Sequence, residues 1–316
     1  MSADFRYIPH TLSCFAPVVF LLSLPRVAPA EDQFAPVTAL ASNAEGDALV
    51  AGSRNGIQVY RLPSLELRRS LKPLLEIVHD VVFSPDGSSL SVSGGVPGES
   101  GEVFCLAWPS LKLRWRQAVA EDVVYAADYS PDGQIIALAA HDSHIRLLRA
   151  ADGKLLGTLS GHSKPVRDVC FLNTDLMVSA GIDMSIRVWK TDGWTVRRTL
   201  RNHRQSVQSL SLSPAEGQPL LASGSVDRTV RFWQPAIGRM VRFYRLPSPV
   251  TVTAFDRTGE RLLAACQNGA VWLIDVATLE SIQLRPPAVW IHSLQVIGDT
   301  CITGDADGHV KKLKIP

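Results

Sequence analysis

"LASGSVDRTVRFW", residues 221–233, joins a run of small residues to a β-branched and aromatic run across a short polar turn. The same order occurs in "LMVSAGIDMSIRVW", residues 176–189. Small apolar residues, then Asp in a turn, then "VRFW" or "IRVW" reads as two strands of a hairpin, because β-branched and aromatic side chains suit a pleated surface. The third-strand runs are apolar at nearly every residue rather than at every second one, so both faces of these sheets are expected to be covered.

Working outward, a valine-led strand precedes each such pair. Seven segments start alike, at Val37, Val78, Val124, Val166, Val207, Val250 and Ile291, with spacings of 41, 46, 42, 41, 43 and 41 residues. The one long interval holds an insertion, "GGVPGESG" at 94–101. In four units a glycine falls nine residues after the anchor, at Gly46, Gly87, Gly133 and Gly259, where a tight turn needs positive φ. A looser fourth strand, such as "WTVRRTL" or "LELRRSL", leads to the next unit. A four-stranded unit of this size cannot bury both faces alone, whereas units stacked around an axis cover one another. The expected fold is all-β: a single seven-bladed β-propeller of four-stranded antiparallel blades, filling residues 31–316.

These motifs resemble the WD-repeat family over residues 37–316. The resemblance rests on "SGHSKPV" with "IRVWK" and on "RNHRQSV" with "VRFWQ", with "VWLID" as a displaced remnant. It implies a platform for other proteins rather than an enzyme.

Histidine, serine and aspartate are also the residue types of a hydrolase triad. Here the set occurs twice at the same offsets from its anchor: His162, Ser179, Asp183 and Trp189, then His203, Ser223, Asp227 and Trp233. In both, His stands four residues before the anchor, Ser four before Asp, and Trp six after Asp. A catalytic site is needed once, while a structural device recurs. The sets are read as structural tetrads, with no catalytic residue. Blades 1, 3, 6 and 7 carry Tyr60, Leu148, Ile274 and Leu313 where tryptophan would stand, so apolar burial is expected to replace the polar network there.

Other stretches suggest chemistry less well. "HDSH" at 141–144 and "DADG" at 305–308 both coincide with the second turn of a blade, so neither is assigned a metal. A propeller enzyme or ligand-binding protein with a site in the central channel is the alternative. Two residues past the anchors, however, the ring reads Ala39, Asp80, Ala126, Asp168, Ser209, Val252 and Ser293, a poor cation cage. No cofactor is expected. One residue past the anchors stand Tyr125, Arg167, Gln208 and His292, the candidate partner-binding rim, since Tyr and Arg suit interface anchors.

With a formal net charge of +2 over 316 residues, no commitment to nucleic acid is expected. The cluster Arg197, Arg198, Arg201 and Arg204 reads as a solvated face. The start differs from the rest: an apolar run from Cys14 to Leu24 closes with Ala28-Pro29-Ala30 before Glu31-Asp32. That composition reads as a signal peptide over residues 1–30, cleaved after Ala30, with a periplasmic or secreted product and no membrane span in the mature chain. A cytoplasmic or N-terminally anchored protein is the alternative. Because "HVKKLKIP" is the third strand of blade seven, its fourth is expected near residues 24–30. The functional expectation is a non-catalytic protein-interaction scaffold with a protein partner.

Overall fold

The computed structural model describes residues 35–214 and 219–316. Among these residues there are twenty-seven strands and no helix. They form seven antiparallel sheets, six of four strands and one of three, each in simple sequential order from an inner to an outer strand. The inner strands are Ala39–Ser42, Val78–Phe83, Val124–Tyr129, Val166–Phe171, Val207–Leu212, Val250–Phe255 and Ile291–Ile297. The fold is the seven-bladed propeller. Residues 1–30, including the apolar run, the cleavage site after Ala30 and the expected clasp strand, lie outside the described residues.

Burial follows position along the blade. Second strands such as Ala48–Ser53 and Leu176–Gly181 are buried at every residue, because each is covered on both faces by neighbouring blades. Outer strands such as Glu66–Leu71 are exposed almost throughout, which is why their sequences lose apolar character. Seven apolar clusters form the core, one at each junction between adjacent blades.

Close stacking is set by one register position. Opposite the residue two past each anchor stand Gly52, Ser93, Ala139, Ala180, Gly224, Ala265 and Gly304, all small. At Gly52, Gly224 and Gly304 the anchor valine of the next blade seats there. A Cβ on Gly52 would lie 2.5 Å from Val78 Cγ1, and one on Gly224 would lie 2.7 Å from Val250 Cγ1.

The ring closes in the same way. A Cβ on Gly304 of blade 7 would lie 2.5 Å from Val37 Cγ1 of blade 1. The Val37 N–H donates to the Asp305 carbonyl at 3.1 Å, and Ser293 Oγ donates to the Val37 carbonyl at 2.9 Å. Blade 7 has three strands among the described residues.

Candidate functional site

The structure brings each tetrad together. In blade 4, Trp189 Nε1–H donates to Ser179 Oγ at 2.9 Å, and Ser179 Oγ lies 2.7 Å from His162 Nε2. His162 Nδ1 lies 3.0 Å from both Asp183 oxygens. In blade 5 the corresponding distances are 2.8 Å for Trp233 to Ser223, 2.7 Å for Ser223 to His203, and 2.9 Å for His203 to Asp227. Each serine thus accepts from the indole on one side and meets Nε2 of the histidine on the other. Nδ1 in turn faces the aspartate carboxylate in both blades. Burial lowers the pKa of His203, against the opposing pull of Asp227. Burial alone would raise Asp183 and Asp227, but hydrogen bonds from the histidines and from Ser185 or Thr229 outweigh it and hold both well below the usual carboxylate range.

Both histidine side chains are 1% exposed. Ser179 and Ser223 are fully buried, so neither hydroxyl is presented to a substrate. Each aspartate also accepts a backbone N–H from the loop that enters its blade, from Ser163 at 3.2 Å and from Arg204 at 3.0 Å. The tetrad thus ties that loop to the second and third strands.

In "HDSH", the Asp142 carboxylate accepts from both terminal nitrogens of Arg146, His144 Nδ1 faces the Asp142 carbonyl, and His141 Nδ1 faces the Tyr125 hydroxyl. Asp305 of "DADG" is fully buried and pairs with Lys311 Nζ at 3.0 Å. Among the described residues, no three His, Cys, Asp or Glu side chains are grouped to hold a metal. Asp80 and Asp168 serve neighbouring blades instead: Asp80 Oδ2 accepts the Ala127 N–H at 2.8 Å and Asp168 Oδ2 the Leu210 N–H at 2.6 Å. Asp128 repeats the device, accepting from Phe171 at 2.7 Å. Burial pushes the three carboxyls up, Asp80 to about 8 and Asp128 and Asp168 to about 7, despite the backbone N–H groups that favour their ionised forms.

The seven inner strands converge on one cavity of about 430 Å³ at the channel mouth. Tyr125, Arg167, Gln208 and His292 all line it, together with His79 and Trp290. The Arg167 guanidinium carbon lies 3.9 Å from the Tyr125 ring centroid, within cation–π range. The His79 ring meets the same tyrosine edge-on at 5.3 Å, and Trp290 stacks on His292 at 4.8 Å. Arg167 Nε is buried without a hydrogen-bond partner, and among the described residues its guanidinium has no ion pair, although Asp168 lies near enough to feel its charge. Burial, then the charges of Arg167 and His292, lower His79 to about 4, so it is neutral at pH 7. Gln208 is partly engaged, donating to Ser206 Oγ at 2.8 Å. Trp290 escapes the sequence reading because it sits just before an anchor rather than one residue past it.

Seven stacked sheets with Trp–Ser–His–Asp chains in two of them make this a β-propeller that carries two WD-type repeats. The family described as WD domain, G-beta repeat matches residues 153–190 and 194–234, the two tetrad-bearing repeats. The COMPASS component SWD3 of Saccharomyces cerevisiae is 26% identical over 171 residues, 50% of this chain and 54% of that protein. Eukaryotic translation initiation factor 3 subunit I of Aspergillus fumigatus is 31% identical over 123 residues, 39% of this chain and 36% of that protein. Nuclear distribution protein nudF of Aspergillus flavus is 31% identical over 140 residues, 43% and 30% respectively. The chain thus spans from about a third to about half the length of these relatives. Two of the names denote a component or a subunit of an assembly, and none denotes an enzyme.

These similarities correct the expectation of export. Translation initiation and nuclear distribution take place inside cells, and the relatives named for them point away from a periplasmic or secreted protein. The physical weakness of the export argument is at the start of the chain, where Asp4 offsets Arg6 and removes the net positive charge a leader carries before its apolar run. Among the described residues, no helix is long and apolar enough to cross a membrane.

Proposed function

We propose that this chain is a non-catalytic protein-interaction scaffold whose partner docks at the channel mouth, on Tyr125, Arg167, Gln208 and His292. The observation that carries this reading is the Arg167 guanidinium, spread over Tyr125 and unpaired at the edge of an open cavity. An arginine held flat by an aromatic ring keeps its in-plane N–H groups for a ligand, with little side-chain entropy left to lose on binding. The names of the relatives, a component and a subunit of larger assemblies, support the same reading. A hydrolytic role is disfavoured because the serines of the two His–Ser–Asp sets found among the described residues are fully buried.

The test is quantitative cross-linking of the tagged chain in cells, wild type against Tyr125→Ala with Arg167→Ala in one protein. Loss of the recovered partner by about tenfold or more is expected, as for removal of two interface anchors. Thermal unfolding is measured alongside to show that the ring is intact. Undiminished recovery from a folded variant overturns the docking face.

A further inference from the structure

The mouth face is electrically polarised, and the polarity says what kind of segment lies across it. In each blade the mouth end of the sheet carries the second turn and the loop leading to the next blade. Leu200, the last residue of the outer strand Thr195–Leu200, pairs with Ile186, which pairs with Ala180, which pairs with Asp168 beside the channel. Arg201 and Arg204 therefore emerge on the mouth face. Arg228, in the second turn of blade 5, and Arg245, paired with Thr229, reach the same end. With Lys164, these side chains are exposed and form no ion pair among the described residues.

Between blades 4 and 5 a cleft of about 310 Å³ is lined by Arg187, Arg201 and Met184, with Asp183, His203 and two serines in its wall. Arg187 Nε is buried there without a hydrogen-bond partner, and Met184 is 41% exposed. The two acids of this sector, Asp183 and Asp227, are 6% exposed and already accept from histidine, hydroxyl and backbone donors. The positive field is therefore uncompensated at the surface. Arg231 registers it: burial lowers its pKa, Asp227 opposes, and Arg204 and Arg245 lower it further.

The corresponding place between blades 2 and 3 has the opposite sign. There the cleft is lined by Glu121, Asp122 and Asp142, with Arg146 tied to Asp142. A long polyanion laid across the mouth face would meet these carboxylates, whereas a short anionic segment confined to blades 4 and 5 would not.

We propose that the partner contributes an acidic peptide segment, which lies over blades 4 and 5 with its carboxylates on Arg201, Arg204, Arg228 and Arg245 and an apolar side chain against Met184. The segment ends at the channel mouth beside Arg167. This inference rests on the scaffold reading and supplies the chemistry of its partner.

Fluorescence anisotropy of the full chain tests it with three probes of equal length: a Glu/Asp-rich peptide containing one leucine, its Lys-substituted counterpart, and a single-stranded oligonucleotide. The acidic peptide alone is expected to bind, and Arg201→Glu, Arg204→Glu and Arg228→Glu together are expected to weaken it by about a hundredfold or more at low salt. The control is Arg68→Glu, Lys112→Glu and Lys154→Glu, which changes net charge equally on exposed positions away from this face and should leave binding within about twofold. Tighter binding of the oligonucleotide than of the acidic peptide overturns the proposal in favour of nucleic acid, and equal losses in the two triple variants reduce it to a net-charge effect. If the acidic peptide fails to bind while Tyr125→Ala with Arg167→Ala still loses its cellular partner, the acidic segment is wrong and the scaffold stands. If that double variant also keeps its partner, both fall.

Discussion

His203 illustrates how one side chain is held by what surrounds it. Its ring is enclosed between Ser223 and Asp227, and the serine carries Trp233. His203→Ala leaves a buried hydroxyl and a buried carboxylate short of partners, so a loss of about 1–3 kcal/mol is expected, read as a lower thermal midpoint. An unchanged midpoint would remove the stabilising role from the tetrad. The effect also depends on pH. Because burial lowers the folded pKa of His203 below its ordinary 6.5, the unfolded chain takes up a proton that the folded chain refuses as pH falls below that value. Stability therefore falls on acidification from about pH 6.5 down to the folded pKa, and Asp227 adds a further loss below about pH 4, as its depressed pKa is approached. In His203→Ala, the loss between pH 7 and pH 5 is expected to be smaller than in the wild type. Melting curves at the two values check it.

At the scale of the strand, the inner carboxylates act in the opposite direction. Asp168 joins blade 4 to the Leu210 N–H of blade 5, yet burial raises its pKa to about 7 from 3.8. Between those values the folded chain keeps a proton that the unfolded chain has released, so stability from this group is lost as pH rises from about 4 through 7. Asp168→Asn never ionises. Its cost relative to the wild type is therefore expected to be smaller at pH 8 than at pH 5, and urea midpoints at both values decide. A cost that grows with pH would contradict the assignment.

Much at this scale is legible in the sequence. Valine anchors recur at forty-odd residues because every blade must seat the same side chain on its neighbour, and tetrad members keep fixed offsets because their strands keep one register. The contribution of Asp80 and Asp168 is not legible, since it depends on which backbone N–H of the next blade comes opposite. Arg201 and Arg204 read as ordinary solvated charge for the same reason. Only the sheet registers place them on one face with Arg228 and Arg245. The apolar run before Leu24 misled because a short hydrophobic segment carries no register at all.

For the whole molecule, closure between blades 7 and 1 is the decisive joint. Gly304 leaves room for Val37, and an added Cβ would also lie 2.4 Å from Ser293 Oγ. Gly304→Leu is expected to cost about 1–3 kcal/mol or more by overpacking and to lower the denaturant midpoint of the ring as a unit. At an open turn glycine such as Gly87 an added Cβ meets no neighbour within 4 Å, so substitution there chiefly strains its own turn, φ +68°. If the two variants unfold alike, close seating at the joint is not what limits the ring.

The same joint governs how the protein is made. Leu40 and Leu49, on the flank of blade 1, are covered by Ile302 and Val310, and these leave the ribosome more than two hundred and fifty residues after Leu49. Until those residues are made, that oily flank lacks the cover that blade 7 later gives it. Translation speed and chaperone cover therefore matter most for the first petal, although it is the earliest one completed.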